Sequence, residues 1–126
     1  MSRVPSKNTG LEIAVRKLVW AMGYRYRLHA RDLPGKPDIV FRGRRKVIFV
    51  HGCFWHRHPG CRYASMPKTR QIFWREKFDR NILRDAEHMS ALQEMGWAVI
   101  VVWQCEMRNP DAVCHKIKKF IETDKL

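Results

Sequence analysis

The 126-residue sequence predicts an α/β fold: a mixed β-sheet flanked by helices, in a single domain over 1–126. Three observations predict it. Helical and extended periodicities alternate along the chain in the order α, β, β, β, α, β, α, which is the pattern of a sheet covered by helices. The run Trp97 to Trp103 is apolar without interruption, the signature of a strand buried on both faces, expected here at the centre of the sheet. Finally, 45% of residues are hydrophobic, enough for a packed core and too many for wholesale disorder.

Each element has its own signals. Thr9-Gly-Leu-Glu12 fits a capping box, with Thr9 as N-cap and Glu12 reaching back. Leu11, Ala14, Val15, Leu18 and Met22 then repeat at helical spacing, and Gly23 can close the helix in a left-handed conformation. Tyr24 to Leu28 alternates as an edge strand. Asp32 to Pro37, with two prolines and a glycine, is a loop. Asp38 to Phe41 and Lys46 to His51 are strands joined by a turn around Gly43, a β-hairpin. Gly52 to about Pro67 has no regular period. A long helix is expected from Arg75 to Met95, with Phe78, Ile82, Leu83, Ala86, Met89 and Leu92 inward and Gly96 as the stop. Asn109-Pro110 supplies an N-cap and a first-position proline for a last helix whose buried stripe is Val113, Ile117, Phe120 and Ile121.

Composition narrows the partners. Lys plus Arg is 25 against 12 Asp plus Glu, a net charge of +13, with a dense patch at Arg42 to Lys46. A field of that sign attracts polyanions and favours nucleic acid; an anionic membrane surface or a ribosomal contact is the alternative. No apolar run approaches the ~18 residues of a membrane helix. The first residues carry no apolar signal core, so a cytoplasmic protein is expected.

The chain has four cysteines, and a disulfide framework does not suit that compartment. Cys53 and Cys61 flank His56 and His58 in the aperiodic loop, and Cys105 follows the last strand. Two thiolates, an imidazole and a fourth ligand from elsewhere suit tetrahedral Zn²⁺, with no open position and hence a structural role. Spacing leaves open whether His56 or His58 is the imidazole. Cys114, inside the last helix, reads as a small buried residue.

Asp38 opens one hairpin strand and His51 ends the other, so both lie at the end away from the turn. A carboxylate there, completed by a strand-end carbonyl such as that of Val50, can hold Mg²⁺, and a nearby histidine can activate water. These parts suit phosphodiester hydrolysis. Asp85 could orient a histidine, and Glu12 reads from the sequence as a cap. Phe54, Trp55 and Trp74 sit among basic residues, a pattern that suits base stacking or wedging into a duplex.

Taken together, Leu33-Pro-Gly-Lys-Pro-Asp38, Val47 through His56, Tyr24 to His29, Asn81 through Asp85, and Gly96-Trp97 through Cys105 resemble the very short patch repair (Vsr) DNA mismatch endonucleases. The resemblance runs from about Met1 to Cys105. It implies a restriction-endonuclease-like core with a structural zinc. It implies an enzyme that nicks one strand of double-stranded DNA, 5′ to the thymine of a T:G mismatch, using Mg²⁺. By motif, Asp38 is the implied Mg²⁺ carboxylate, Val50 a backbone metal contact and His56 the general base. His51 is a second catalytic histidine, Asp85 its family's histidine-orienting acid, and Glu12 a lesser contributor. Cys53, His58, Cys61 and Cys105 match the zinc ligands, and Phe54, Trp55 and Trp74 the aromatic wedge. A monomer acting with mismatch-repair helper proteins in the bacterial nucleoid is the implied setting. Some members carry threonine at the place of Val50, which a carbonyl ligand tolerates. The spacing from His58 to Cys61 is longer than the family's best-known one. The lysine usual in such nuclease cores is absent, with His51 near its place. Two rival expectations remain: a related nickase with another DNA target, and a zinc-stabilised DNA-binding module without catalysis.

Overall fold

A computed structural model describes residues 10–123. Helix α1 is Gly10–Ala21, followed by strands β1 (Arg27–Leu28), β2 (Ile39–Phe41) and β3 (Lys46–His51). Helix α2 is Gln71–Glu94, strand β4 Ala98–Trp103 and helix α3 Pro110–Glu122. Short 3₁₀ turns occupy Arg42–Arg44 and Gln104–Arg108. Thr9, the expected cap of α1, lies outside the described residues.

The sheet order is β1-β2-β3-β4. β1 with β2 and β2 with β3 are antiparallel, while β4 runs parallel to β3, with Val50 opposite Val102 and His51 opposite Trp103. The parallel pair needs a crossover, and α2 supplies it. Side chains of a strand alternate between faces, and both faces are covered. On one face Ile39, Phe41, Ile48, Val50 and Val102 pack with Val15 and Val19 of α1 and Val113, Ile117 and Ile121 of α3. On the other, Val40, Val47 and Phe49 pack with Leu92, Trp97, Ala30 and Leu33.

Five expectations are corrected here. Among the described residues β4 is an end strand, not a central one. Its uninterrupted apolar run reflects two covered faces: Ile100 and Val102 join the first core, Val99 and Val101 the second. Helix α2 begins four residues early, at Gln71 rather than Arg75, and its inward face is narrower than its pattern suggests. Ile82 is 48% and Leu83 61% exposed, and Ala86 is exposed too. Successive helical residues turn by ~100°, which puts Leu83 roughly 140° from Phe78. The middle of the inward face is given instead to polar Asn81 and Asp85, which bond into the loop after β3. Cys114 is half-buried rather than buried. The extended segment before the loop is also short, with strand structure at Arg27 and Leu28 alone and one further bond from the His29 amide to the Asp38 carbonyl.

Helix α3 starts as its sequence dictates, with the Asn109 side chain accepting from the Ala112 amide at 3.3 Å and Pro110 in the first position. Its other end is capped from the sheet. The buried Lys46 ammonium donates to the carbonyls of Phe120 (2.6 Å), Ile121 (2.9 Å) and Thr123 (2.6 Å). Those carbonyls are the unsatisfied acceptors of a helix C-terminus, where a cation also meets the negative end of the dipole. Lys46→Met keeps the stem and removes the donors. It should lower unfolding free energy by about 2 kcal/mol in urea denaturation, the worth of hydrogen bonds to a charged group.

Candidate functional site

The site grows from the open end of the β2–β3 hairpin. Asp38 stands one residue before β2, and the Val50 amide donates to its Oδ2 at 2.7 Å. From α1, buried Glu12 brings Oε1 to 3.0 Å from His29 Nε2. The same nitrogen lies 3.9 Å from Asp38 Oδ1. Glu12 also pairs with Arg16 at 3.8 Å. So the side chain expected to cap α1 faces the hairpin mouth. Glu12, His29 and Asp38 can offer ligand atoms all within 4.8 Å of one another.

Burial pushes the Asp38 carboxyl up from 3.8 to about 7, with the Glu12 charge adding and the Val50 amide opposing. Two clustered acids and an imidazole with little water around them are a fitting cradle for a divalent cation, which would displace the proton.

A second cluster follows directly in the chain. His51, at the end of β3, lies flat against His56, with ring centroids 3.7 Å apart and planes at 5°. His56 Nδ1 is 2.6 Å from Asp85 Oδ2. With the carboxylate as acceptor, Nδ1 carries the proton, which leaves the lone pair on Nε2. For Asp85, burial works upward, but the bond and charge of His56 outweigh it and hold the carboxyl below its ordinary range. His51 goes the other way. Burial, then the neighbouring His56, lower it to about 3, so its ring is neutral, and its Nδ1 is buried without a hydrogen-bond partner.

A third cluster joins Cys53, His58, Cys61 and Cys105. His58 Nδ1 is 3.7 Å from Cys53 Sγ and 3.4 Å from Cys105 Sγ. Ligands of a tetrahedral zinc, with bonds of ~2.0–2.3 Å, stand roughly 3.5–3.8 Å apart, so the donor set fits that ion. Burial pushes the Cys53 thiol up to about 12 in the metal-free protein. His58 stacks on Trp103 at 4.2 Å, while His51 meets the same indole edge-on at 5.2 Å. Of the two histidines left open by spacing, His58 is with the cysteines and His56 is with Asp85.

The aromatics gather beside these groups. Phe54 lies 5.1 Å from Trp55 and 5.9 Å from Trp74, and Trp55 lies 5.8 Å from Trp74. Phe78 supports them at 5.2 Å from Phe54 and 5.5 Å from Trp74. Arg57 covers the Phe78 ring at 3.9 Å, and its guanidinium donates to the carbonyls of Phe54, Ala64 and Ser65. That arginine closes a loop with no periodicity of its own. All three residues of the expected wedge are half-buried, so they stand on a platform with one side open.

Sequence reasoning passed over two members. His29 appeared only as the last residue of one stretch that resembles the family, and its left-handed backbone (φ 47°) leaves no sequence signal. Trp103 read as one more apolar strand residue.

Comparison with known proteins gives the chain its relatives. A family model described as "DNA mismatch endonuclease Vsr" matches residues 1–62. The chain is 50% identical over 122 residues to the Type II nicking enzyme V.XorIIP of Xanthomonas oryzae pv. oryzae, covering 97% of this chain and 89% of that protein. It is 42% identical over 109 residues to the DNA mismatch endonuclease Vsr of Escherichia coli (strain K12), covering 86% of this chain and 69% of that protein. It is also 41% identical over 116 residues to the Type II nicking enzyme V.NmeAIP of Neisseria meningitidis, covering 92% and 81%.

The Asp38 environment makes a pH prediction. A folded carboxyl near 7 against 3.8 unfolded keeps its proton where the unfolded chain has lost it. Its contribution to stability is therefore full below about 4 and lost as pH rises through about 7. In magnesium-free buffer, Asp38→Asn, which keeps an acceptor for Val50, should be more stable than wild type at pH 8 by on the order of 4 kcal/mol. The two should converge at pH 4, as read by urea unfolding at each pH.

Proposed function

This chain belongs to the Vsr family of DNA mismatch endonucleases, and from that premise we propose that it nicks one strand of duplex DNA 5′ to the thymine of a T:G mismatch. The observation that carries the reading is that the desolvated Asp38 is bonded to Val50 while the next residue, His51, is stacked on the His56–Asp85 dyad, so both groups are set by neighbouring residues of β3. Asp38, with the Val50 carbonyl, would hold Mg²⁺. When bound, that ion supplies positive charge to the phosphate and to the departing oxygen. His56, its Nδ1 proton held by Asp85, takes a proton from the attacking water at Nε2. Water oxygen bonds to phosphorus, the bond from phosphorus to the deoxyribose oxygen breaks, and that oxygen receives a proton. Neutral His51 keeps the His56 ring flat and dry on one face, and Glu12 secures His29 beside Asp38.

Recognition rests on deformation. A T:G wobble stacks less well than a matched pair, so it yields to Phe54, Trp55 and Trp74 at lower cost. The net charge of +13 supplies attraction to the backbone without reading bases. Cys53, His58, Cys61 and Cys105 would hold a structural zinc that ties the loop carrying His56 and two wedge aromatics to the end of β4. No described helix is long and apolar enough to cross a membrane. A single-domain monomer working with mismatch-repair helpers in the bacterial cytoplasm completes the reading. A second target is the alternative that the relatives favour, because two of the three compared above are named type II nicking enzymes rather than mismatch endonucleases.

A labelled duplex tests both. With Mg²⁺, the T:G duplex should be nicked and the matched T:A duplex left whole; equal cutting would favour the other target. Asp38→Ala should reduce nicking by ~10³-fold or more, and His56→Ala by ~10²–10⁴-fold. Duplex binding by either variant should hold, and a wild type that binds but never cuts would leave only a DNA-binding module. Purified protein should contain one zinc by elemental analysis. Cys105→Ser should lose it and melt at lower temperature, since metal binding contributes to folding.

A further inference from the structure

We propose that His29 is a direct ligand of the divalent cation through Nε2, so that the site takes Mn²⁺ in preference to Mg²⁺. This rests on the reading of Asp38 as the metal carboxylate and adds a donor to it. His29 Nε2 is 3.0 Å from Glu12 Oε1 and 3.9 Å from Asp38 Oδ1; on binding, the ion takes the place of the proton shared by Nε2 and Glu12, which leaves to solvent. Around an octahedral ion with bonds of ~2.1 Å, neighbouring donors stand roughly 3.0 Å apart and opposite ones roughly 4.2 Å apart. The Glu12 distance matches neighbouring donors and the Asp38 distance approaches that of opposite ones, and the three donors converge from α1, the end of β1 and the start of β2.

The ring is held there by the backbone. The His29 amide donates to the carbonyl of Asp38 at 3.4 Å, so imidazole and carboxylate are fixed on one antiparallel rung. The residue takes a left-handed conformation (φ 47°), uncommon outside glycine and associated with groups aimed at a ligand. Chemistry then sets the preference. Mg²⁺ is served by oxygen donors and keeps its waters, whereas imidazole suits first-row transition ions, and Mn²⁺ accepts carboxylate and imidazole together. An imidazole between two carboxylates is therefore a site for Mn²⁺ more than for Mg²⁺.

The test uses the full zinc-loaded chain and Mn²⁺ as its own probe. Free Mn²⁺ is followed by electron paramagnetic resonance during titration, Mg²⁺ by its displacement of Mn²⁺, and the bound ion by pulsed detection of nitrogen coupling. Wild type should show Mn²⁺ coupled to one imidazole nitrogen. His29→Gln, which can still bond to Glu12, should lose that coupling and bind Mn²⁺ about tenfold more weakly or worse, with Mg²⁺ affinity changed much less. Asp38→Ala should lose the ion altogether. Nitrogen coupling that is absent in wild type, or that persists in His29→Gln, overturns the proposal. If Asp38→Ala still abolishes binding in that case, the carboxylate reading stands and only the His29 ligand falls. Unchanged Mn²⁺ binding by Asp38→Ala would sink both. Melting temperatures of the variants, taken alongside, separate loss of ligand from loss of fold.

Discussion

Strand β3 is buried along its whole length, Lys46 and His51 included, between antiparallel β2 and parallel β4. A strand bonded on both edges and covered on both faces has no freedom to shift its register, because a slip of one residue would turn every apolar side chain to the wrong core. Its C-terminal end therefore delivers groups to defined positions. β2 begins only at Ile39, so the ladder stops short of Val50, and the Val50 amide is met by the Asp38 carboxylate instead. The next residue, His51, carries the histidine stack, and Cys53 begins the thiol cluster. Three clusters of different chemistry thus hang from four consecutive residues, Val50 to Cys53, at the C-terminal end of that strand and just beyond it.

The electrostatics of the molecule act on two scales. At long range the excess of Lys and Arg gives a positive body suited to a phosphate backbone. At short range Glu12 and Asp38 share one cluster and Asp85 joins the histidine pair, placing carboxylates in a body that is otherwise cationic. Desolvation works in opposite directions on the two halves, raising Asp38 to about 7 and lowering His51 to about 3. Both act against charge in the absence of a counter-ion.

The hairpin, the order of helices and strands and two helix ends were legible because they rest on local rules: period-2 and period-3.6 patterns, Gly23 after α1, Asn109-Pro110 before α3. The position of β4 was not legible, since a run such as Ala98 to Trp103 reports covered faces and says nothing of neighbours at its edges. The early start of α2 escaped because Gln71 to Trp74 carries no capping signal; Arg70 precedes it in a left-handed conformation without a side-chain cap. Much of the site could be read because Asp38, His51, His56 and the cysteines are chemically distinctive and clustered. Glu12 was harder: its role depends on which way one helix faces, and a short capping pattern offered a local explanation. His29 needed three elements to converge from separate stretches of chain, which no spacing rule encodes.

Lys46 reaches from the first residue of β3 to the last turn of α3, 74 positions along the chain at the nearest of its partners. During synthesis, β3 emerges long before those carbonyls exist. Until α3 has cleared the ribosome, an ammonium destined for the interior has no helix end to enter, and the sheet cannot close around it. Completion of this nuclease fold is thereby tied to the arrival of its last helix, so a stalled or shortened chain would tend to remain open rather than present a half-built cutting centre to the genome.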